Sequence, residues 1–327
     1  MSFMPTSTTS FNLPVLECKV STRIPTKTHG TFRTLLYKNT LDQEEHIALV
    51  YGPNLKSKTL EKVRENETNH DRIVRGATVI SNDSSSFQPS IDSSVPSNLD
   101  NQEAYNNAHI NGTQILNFSH LQLNGVHTKA KSSILTRLHS SCFTGETLFS
   151  CRCDCADQLY EAMSIMNIEG EGVIVYLKQE GRGIGLLDKL KAYNLQDLGH
   201  DTVTANVLLD HPPDSRDYTI AALILKDLGI EKVRLMTNNP LKINSLERDG
   251  IVIEERLEMI PSHWRPDVVV EEEADSRALK GLLTMKKTAS TSSVGSSSDN
   301  FRELDGYIIA KVEKMNHLLE IPLNISK

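Results

Sequence analysis

Four of the chain's five cysteines lie within fourteen residues, in the segment CFTGETLFSCRCDC that runs from Cys142 to Cys155. The N-terminal segment has no basic stretch followed by an apolar core, so we expect no secretory signal and a cytoplasmic protein, with the nucleus as a second location. Thiols stay reduced in those compartments, and cysteines this close are then more often metal ligands or catalytic thiols than disulfides.

Ten residues separate Cys142 from Cys153, and one residue separates Cys153 from Cys155. The last two sulfurs can converge on one ion if the backbone turns between them, and the helical pattern that begins near Asp157 supplies that turn. A helix N-terminus at this point also favours the thiolate form. Three thiolates and a water satisfy tetrahedral zinc with one open position, which is the catalytic arrangement.

Two other interpretations of this segment stay open on spacing alone. In one of them Cys151 is a fourth ligand, which would close the site and make the zinc a structural staple for the loop. In the other the segment binds no metal. Cys151 could also be a plain buried thiol beside a three-cysteine site.

A glycine-rich loop follows the predicted strand in VIVYLKQEGRGIGLLDKL. Such a loop points backbone N–H groups and a helix N-terminus at an anion. Gly181, Gly183 and Gly185 do not fit the spacing of a dinucleotide fingerprint, and the loop is not a P-loop. Arg182, between two of these glycines, is suited to clamp a phosphate because its guanidinium is planar and always charged. The plainer reading is a tight turn with a surface arginine.

Other polar side chains stand near the ends of predicted strands, where α/β sheets bind ligands. Taken singly, each has a plain role as a helix cap, a surface charge or a structural histidine. Taken together with a zinc and Arg182, they suggest metal-assisted hydrolysis of a phosphorylated small molecule. They are Arg137, His139, Asp214, Arg216, Thr237 and Lys242.

The elements that must position these residues follow an α/β order. Short alternating segments predict a small N-terminal β portion over residues 15–51, and a further strand is expected in DRIVRGATVI at 71–80. Strands and helices then alternate from residue 132 to residue 257, with a last amphipathic helix from residue 301. This order predicts an α/β fold whose mixed sheet is covered by helices.

The composition is that of a globular chain of 327 residues, with 38 % hydrophobic residues and a net charge of −7. The negative charge argues against a nucleic-acid partner, which needs a basic face. No apolar run approaches the roughly 20 residues of a membrane helix, so no membrane partner is expected.

The domain organisation follows from where the composition becomes rich in serine. Residues 1–12 are expected to be a disordered tail, and residues 13–320 a single catalytic domain. Insertions are expected at about 53–130, with a serine-rich stretch at 81–102, and at 286–300, because such segments cannot bury a core.

Four long motifs resemble GTP cyclohydrolase II: RLHSSCFTGETLFSCRCDCADQL, YLKQEGRGIGLLDKLKAYNLQDLGHDTVTAN, DSRDY and LMTNNPLKI. The resemblance covers about residues 14–52, 130–265 and 302–320. It implies hydrolysis of GTP with release of formate and diphosphate, giving 2,5-diamino-6-(5-phosphoribosylamino)pyrimidin-4(3H)-one in the first step of riboflavin biosynthesis. It also implies one zinc per subunit, Mg²⁺ with the triphosphate, GTP as the small-molecule substrate, and a homodimer.

The resemblance assigns roles to individual residues, with Cys151 a neighbour of the metal and not a ligand. Zinc would be held by Cys142, Cys153 and Cys155. Asp214 would be the general base, Arg216 the residue proposed to attack the α-phosphorus, and Tyr193 a neighbour of the purine ring. Substrate contacts would be Arg137, Leu138, His139, Ser140, Ser141, Gln158, Glu180, Gly181, Arg182, Thr202, Thr237 and Lys242. Because a guanidinium stays protonated, we prefer Arg216 as a phosphate stabiliser.

One position departs from the family pattern. The family usually reads H-S-E-C, and this chain has Ser141 before Cys142. A missing carboxylate beside a metal ligand would weaken the selection or orientation of the nucleotide, or would mark a diverged paralogue with another substrate, for example in pyrimidine catabolism. A separate alternative is a zinc-stabilised nucleotide-binding protein without activity.

Overall fold

The computed structural model describes residues 14–42, 44–80, 133–212, 214–264, 297–323 and 325. The predicted tail at 1–12 and the serine-rich stretch at 81–102 lie outside these ranges, as does most of the predicted insertion at 286–300. One compact unit comprises residues 1–79, 131–265 and 298–327. A second unit, residues 80–130 and 266–297, lies almost wholly outside the described residues.

The described strands form one mixed sheet in the order β1-β2-β3-β5-β4-β6-β7. The strands are β1 (Leu16–Pro25), β2 (Thr31–Asn39), β3 (His46–Tyr51), β4 (Ile134–Ser140), β5 (Gly172–Leu177), β6 (Lys232–Met236) and β7 (Val252–Leu257). β1, β2 and β3 pair antiparallel, and β3 pairs antiparallel with β5. β4 is parallel to both β5 and β6, and β6 is parallel to β7. The predicted α/β fold with a mixed sheet is confirmed.

Helices surround this sheet. They are α1 (Lys58–Glu61), α2 (Asn69–Arg75), α3 (Phe143–Glu146), α4 (Cys155–Glu169), α5 (Gly185–Asp197), α6 (Thr202–Leu208), α7 (Thr219–Asp227), α8 (Pro240–Arg248) and α9 (Ser297–Met315), with 3₁₀ turns at Glu180–Gly183 and Ser262–Trp264. Within the ranges that the structure describes, every helix is too short or too polar to cross a lipid bilayer.

The predicted strand at 71–80 is wrong, because α2 occupies its first half. Thr68 caps this helix: its hydroxyl accepts a hydrogen bond from Asp71 N at 3.1 Å, and Asp71 Oδ2 accepts one from Thr68 N at 2.9 Å. Gly76 ends the helix with a φ of 77°. Reciprocal capping and a left-handed glycine define a helix even where isoleucine and valine favour a strand.

The main hydrophobic core lies between the sheet and α7, where Leu35, Val175, Leu235, Ile224 and Leu225 are fully buried. Strand β5 is buried on both faces, as expected of a central strand. Since β5 and β6 lie on either side of β4 and are both parallel to it, the carboxyl ends of the three strands meet at one edge of the sheet.

A smaller core attaches α9 to the rest of the molecule. Leu304 and Ile308 pack against Trp264, and Trp264 Nε1 donates to Asp305 Oδ1 at 2.6 Å. This contact fixes the last helix beside the sheet edge where the parallel strands end.

Candidate active site

Three cysteine sulfurs lie together at the end of β4. Cys142 is the residue before α3, and Cys153 and Cys155 flank the turn that enters α4. Their Sγ atoms all lie within 4.8 Å of one another, and those of Cys142 and Cys153 are 3.6 Å apart. Tetrahedral zinc with Zn–S bonds of about 2.3 Å separates its sulfurs by about 3.8 Å. The three sulfurs therefore fit one zinc ion.

Gly145 keeps the space beside this cluster open. A Cβ at this position would lie 2.8 Å from Cys153 Sγ, closer than a side-chain carbon can approach, and 3.2 Å from Cys142 Sγ. Cys151 is exposed and lies outside the cluster. The described residues therefore supply three sulfurs, and not four, to this metal position.

The cluster shares a negative charge. The pKa of Cys142 is strongly lowered because Cys153 and Cys155 hydrogen-bond to its sulfur and Lys189 Nζ lies 3.2 Å away. The pKa of Cys153 is raised to about 12, chiefly because it donates to Cys142. Lys189 also pairs with Glu180 at 2.7 Å. A cation bound between the sulfurs would take the place of the protons that they share.

A cleft of about 1040 Å³, solvent included, opens over the sulfur cluster. Glu180 is the carboxylate among its described lining residues, whereas seven cations face it. These cations are Arg137, Arg152, Arg182, Lys189, Arg216, Lys242 and Lys311. Such an excess of positive charge suits a polyanionic ligand.

A chain of hydrogen bonds runs from α9 past the cysteines to β4. Lys311 Nζ donates to Asp154 Oδ1 at 2.7 Å, and Gln158 Nε2 donates to Asp154 Oδ2 at 2.8 Å. Arg137 donates to Gln158 Oε1 and, at 2.8 Å, to the carbonyl of Met236. Burial alone would raise the pKa of Asp154, but Lys311 outweighs it and lowers the pKa. Gln158 and Arg137 are therefore held in fixed orientations.

Lys242 is buried at the start of α8 with 5 % of its surface exposed. Its Nζ donates to the carbonyl of Leu138 at 2.7 Å, whereas the Leu138 side chain packs in the core. The pKa of Lys242 is far below its ordinary value, first because of burial and then because of Arg137 and Arg216. A bound anion would relieve this crowding of positive charge.

Asp214 and Arg216 form a two-point ion pair beside the cleft. Arg216 Nε donates to Asp214 Oδ1 at 2.8 Å, and Nη2 donates to Oδ2. Burial would raise the pKa of Asp214, but the hydrogen bonds and charge of Arg216 lower it. Arg216 lines the cleft, whereas Asp214 holds it from behind.

The glycine loop has a left-handed backbone. Gly181 and Arg182 have φ angles of 62° and 60°, the latter rare for a residue with a side chain. A Cβ on Gly183 would lie 3.1 Å from the carbonyl oxygen of Ser215, whose N–H donates to the carbonyl of Arg182 at 3.0 Å. The loop is thereby locked to the Asp214–Arg216 segment.

Tyr193 and Glu180 lie on the side of the cleft nearest the cysteines. The Tyr193 hydroxyl is 3.0 Å from Thr144 Oγ1, and Arg152 lies over its ring at 5.0 Å. Burial raises the pKa of Tyr193, so its hydroxyl stays protonated. Glu180 Oε2 accepts a hydrogen bond from Phe143 N at 2.8 Å, which ties the glycine loop to α3.

The other predicted residues lie around the same cleft. His139 Nε2 is 3.0 Å from Glu146 Oε1, and burial lowers its pKa, so its ring is neutral. Ser140 Oγ accepts from Gln179, and Ser141 N donates to a β5 carbonyl. Thr202 and Thr237 also line the cleft. Of the predicted substrate residues, Leu138 contributes only its backbone.

Sequence reasoning missed several residues of this site. Glu146 accepts hydrogen bonds from Cys142 N at 2.8 Å and from the Tyr176 hydroxyl at 2.8 Å, besides its contact with His139. Tyr307, Lys311, Met315 and His317 reach the cleft from the end of the chain. The four-residue spacing of the first three, which share one helix face, was the available signal.

Comparison with known proteins identifies the family. The family model for GTP cyclohydrolase II matches residues 17–77 and 100–258. The GTP cyclohydrolase-2 of Meyerozyma guilliermondii is 41 % identical over 96 % of this chain and 82 % of its own length. That of Saccharomyces cerevisiae is 37 % identical over 96 % of this chain and 83 % of its own length. The riboflavin biosynthesis protein RibBA of Chlorobium phaeovibrioides is 56 % identical over 42 % of this chain and 32 % of its own length.

Together with the mixed sheet, these matches place the protein in a single class of α/β enzymes. The chain belongs to the GTP cyclohydrolase II family. The predicted family and enzyme class are confirmed.

Proposed function

We propose that this protein hydrolyses GTP in a zinc-dependent reaction that opens the imidazole ring. Formate and diphosphate would be released, leaving 2,5-diamino-6-(5-phosphoribosylamino)pyrimidin-4(3H)-one in the first step of riboflavin biosynthesis. The observation that carries the proposal is a three-sulfur cluster beside a cleft lined by seven cations, in a chain of this family.

Cys142, Cys153 and Cys155 would hold one zinc ion per subunit. When bound by three thiolates, zinc polarises oxygen ligands and lowers the pKa of water toward neutrality, which is the chemistry that attack on a purine carbon needs. Gly145 leaves the cluster accessible, and Glu146 fixes the backbone of Cys142. Lys189 balances the negative charge of the sulfurs.

The triphosphate would be bound by Arg182, Arg216 and Lys242. The locked glycine loop fixes the backbone of Arg182, and the ion pair with Asp214 holds the guanidinium group of Arg216 before substrate arrives. These cations would neutralise charge on the leaving diphosphate, and Mg²⁺, which binds to substrate phosphates more than to protein alone, would supply further positive charge there.

Asp214 and Tyr193 would act on protons and on the base. The pairing with Arg216 keeps Asp214 ionised, which is the form that a proton acceptor requires. Tyr193 keeps its proton and would donate a hydrogen bond near the purine ring. The remaining contacts to GTP would come from Arg137, His139, Ser140, Ser141, Gln158, Glu180, Gly181, Thr202 and Thr237, and from the backbone of Leu138.

Two further properties belong to this proposal. The protein would act in the cytoplasm, with the nucleus as a second location, and without a nucleic-acid partner. It would form a homodimer, as the family resemblance implies, and the exposed apolar side chains of Leu187 in α5 and of Val207 and Leu208 in α6 are candidates for its interface.

The test is to incubate the purified protein with GTP, zinc and magnesium and to measure formate, diphosphate and the diaminopyrimidine chromophore. We expect the three products in equal amounts, loss of all three after chelation, and recovery with added zinc. GTP that is bound and recovered unchanged would instead favour a nucleotide-binding protein without activity.

Ser141 favours one alternative, a diverged paralogue with another substrate. Its side chain lines the cleft beside Cys142, where the family usually has a carboxylate. Comparing GTP with other nucleoside triphosphates and with pyrimidine substrates separates the two: the paralogue predicts a substrate that is turned over faster than GTP.

A further inference from the structure

A histidine near the end of the chain lies among the basic residues of the cleft. Helix α9 ends at Met315, and Asn316 has a φ of 54°. Asparagine is one of the few residues that adopt this left-handed conformation readily. This change of backbone direction ends helix α9, and the next residue, His317, lines the cleft.

The backbone around this histidine is anchored to β6 and to α9. His317 N donates to the carbonyl of Lys311 at 3.1 Å, and Leu318 N donates to the carbonyl of Asn238 at 2.8 Å. Arg256 Nη1 donates to the carbonyl of Leu318 at 3.2 Å. The imidazole is therefore carried by a fixed segment that lies beside the residues following β6.

The ring nitrogen Nε2 of His317 is buried and has no hydrogen-bond partner among the described residues. Buried polar atoms are nearly always satisfied, so an unpaired one on a residue that lines a cleft indicates a ligand or a water. The charges acting on the ring are those of Lys311, Lys242, Arg216 and Arg182. Burial and these cations lower the pKa of His317 to about 2, so the ring is neutral until an anion arrives.

We propose that His317 is a substrate-binding residue that donates a hydrogen bond from Nε2 to a phosphate oxygen. The identification of that phosphate as part of a nucleoside triphosphate rests on the proposed function. The ring donates either as the neutral Nε2–H tautomer or as imidazolium, which the negative charge of a bound polyphosphate would stabilise. The end of the chain thereby completes the polyphosphate site formed by the glycine loop, Arg216 and α8.

The experiment is calorimetric titration of the zinc-loaded full-length protein with inorganic triphosphate and, separately, with GTP. For His317→Ala we expect a dissociation constant about 10- to 100-fold higher for both ligands, the range for losing a hydrogen bond to a charged group. His317→Gln keeps an N–H donor and should recover part of this loss. Leu318→Ala, an exposed side chain in the same segment, is the matched control and should bind as the unchanged protein does.

Zinc content and melting temperature of each variant show whether the fold is retained. The inference is overturned if His317→Ala binds inorganic triphosphate normally, even where GTP binding weakens, because the ring would then contact the nucleoside. It is also overturned if Leu318→Ala loses as much affinity, or if His317→Gln recovers none. If inorganic triphosphate binding depends on His317 but the unchanged protein releases no formate from GTP, the proposed function fails and this inference stands.

Discussion

The buried cations beside the antiparallel strands and those at the ends of the parallel strands have different partners. In the first region, Arg72 and Arg75 of α2 are almost fully buried. Both pair with Glu67, whose side chain is 3 % exposed, and Arg72 also reaches Glu61. Each positive charge in this region is therefore matched by a carboxylate.

In the second region, Arg137 and Lys242 are buried to the same degree and neither forms an ion pair with a described residue. Their hydrogen bonds go to the carbonyl oxygens of Met236 and Leu138 and to Gln158. Carbonyl groups orient a cation but do not neutralise it, so the desolvation of these charges is incompletely compensated.

This difference distinguishes cations that stabilise the fold from cations that form the candidate active site. Folding alone completes the charge pairing around Glu67, whereas Arg137 and Lys242 at the parallel strand ends have no carboxylate partner among the described residues, although Arg216 and Lys311 beside them do. Buried charges are left without an oppositely charged partner chiefly at functional sites. The predictions that follow test this contrast, from the largest expected effect to the smallest.

The largest effect is expected for Cys153→Ser, which removes one sulfur of the cluster. Formate release from GTP should fall about 1000-fold or more, and bound zinc should be lost with it, because two thiolates hold zinc poorly. Metal analysis and a formate assay on the same sample measure both. Cys151→Ser, at an exposed position outside the cluster, should change neither; turnover that survives loss of the metal would exclude a catalytic zinc.

Lys242→Met tests the uncompensated charge at the site. The dissociation constant for GTP should rise about 100-fold, since a buried ammonium is lost from the triphosphate site. Without ligand, the melting temperature should rise by about 2–4 °C, because a buried amino group without a carboxylate partner is replaced by an apolar side chain. Calorimetry measures both quantities.

Lys232→Met is the matched control for this change. Lys232 lies on the neighbouring strand β6, is half exposed and pairs with Glu254. Its replacement should leave affinity within about twofold, as exposed ion pairs contribute little. A Lys242→Met protein that is less stable than the unchanged protein would show that this lysine is a scaffold residue.

The cysteine spacing predicts a metal site beside the end of a strand but leaves the role of Cys151 open, and the set of three cysteines is what the family resemblance implies. Cys142, Cys153 and Arg182 lie close to predicted elements, so local patterns position them. Lys311 could not be placed in this way, because 157 residues separate it from its partner Asp154. Only the packing of α9 against Trp264 brings the two together.

Capping explains the error in the first half of the chain. The segment predicted as a strand at 71–80 contains isoleucine and valine, which favour strands, but the capping pair of Thr68 and Asp71 begins a helix there. Helix α6 was not predicted for a related reason: Asp201 caps it by accepting from Val203 N at 2.9 Å. Short helices defined by their caps leave little periodicity to detect.

Glu67→Gln tests the scaffold side of the comparison. The melting temperature should fall by about 4–8 °C, because Arg72 and Arg75 lose their shared carboxylate, while kcat stays within about twofold. Scanning calorimetry and steady-state kinetics measure the two effects. Glu65→Gln, at an exposed neighbouring position, is the control. A loss of activity without a loss of stability would place this cluster in the functional machinery.

The same carboxylate predicts a pH dependence. Its hydrogen bond with Arg75 lowers the pKa of Glu67 from 4.5 to about 2. An acid whose pKa is lower in the folded state than in the unfolded state stabilises the fold at pH values above its unfolded pKa. This contribution is lost as the pH falls from about 4.5 toward 2. Denaturation midpoints measured over this interval should drop less steeply for Glu67→Gln than for the unchanged protein; identical slopes would contradict the pairing.

The smallest effect is expected for Ser141→Glu, which restores the carboxylate usual in the family. We expect kcat/KM for GTP to rise by about two- to fivefold, because one more acceptor faces the substrate in a cleft rich in cations. Steady-state assays of formate release measure it, with Ser141→Gln as the uncharged control. A large gain for GTP with a matching loss for another substrate would favour the diverged paralogue.

The central claim is that three sulfurs hold one zinc ion and leave one position open beside a polyanion cleft. X-ray absorption at the zinc edge of the purified protein measures this coordination directly. The account predicts three sulfur neighbours at about 2.3 Å and one oxygen or nitrogen neighbour at about 2.0 Å. Four sulfur neighbours, or a protein that is active without zinc, would contradict it.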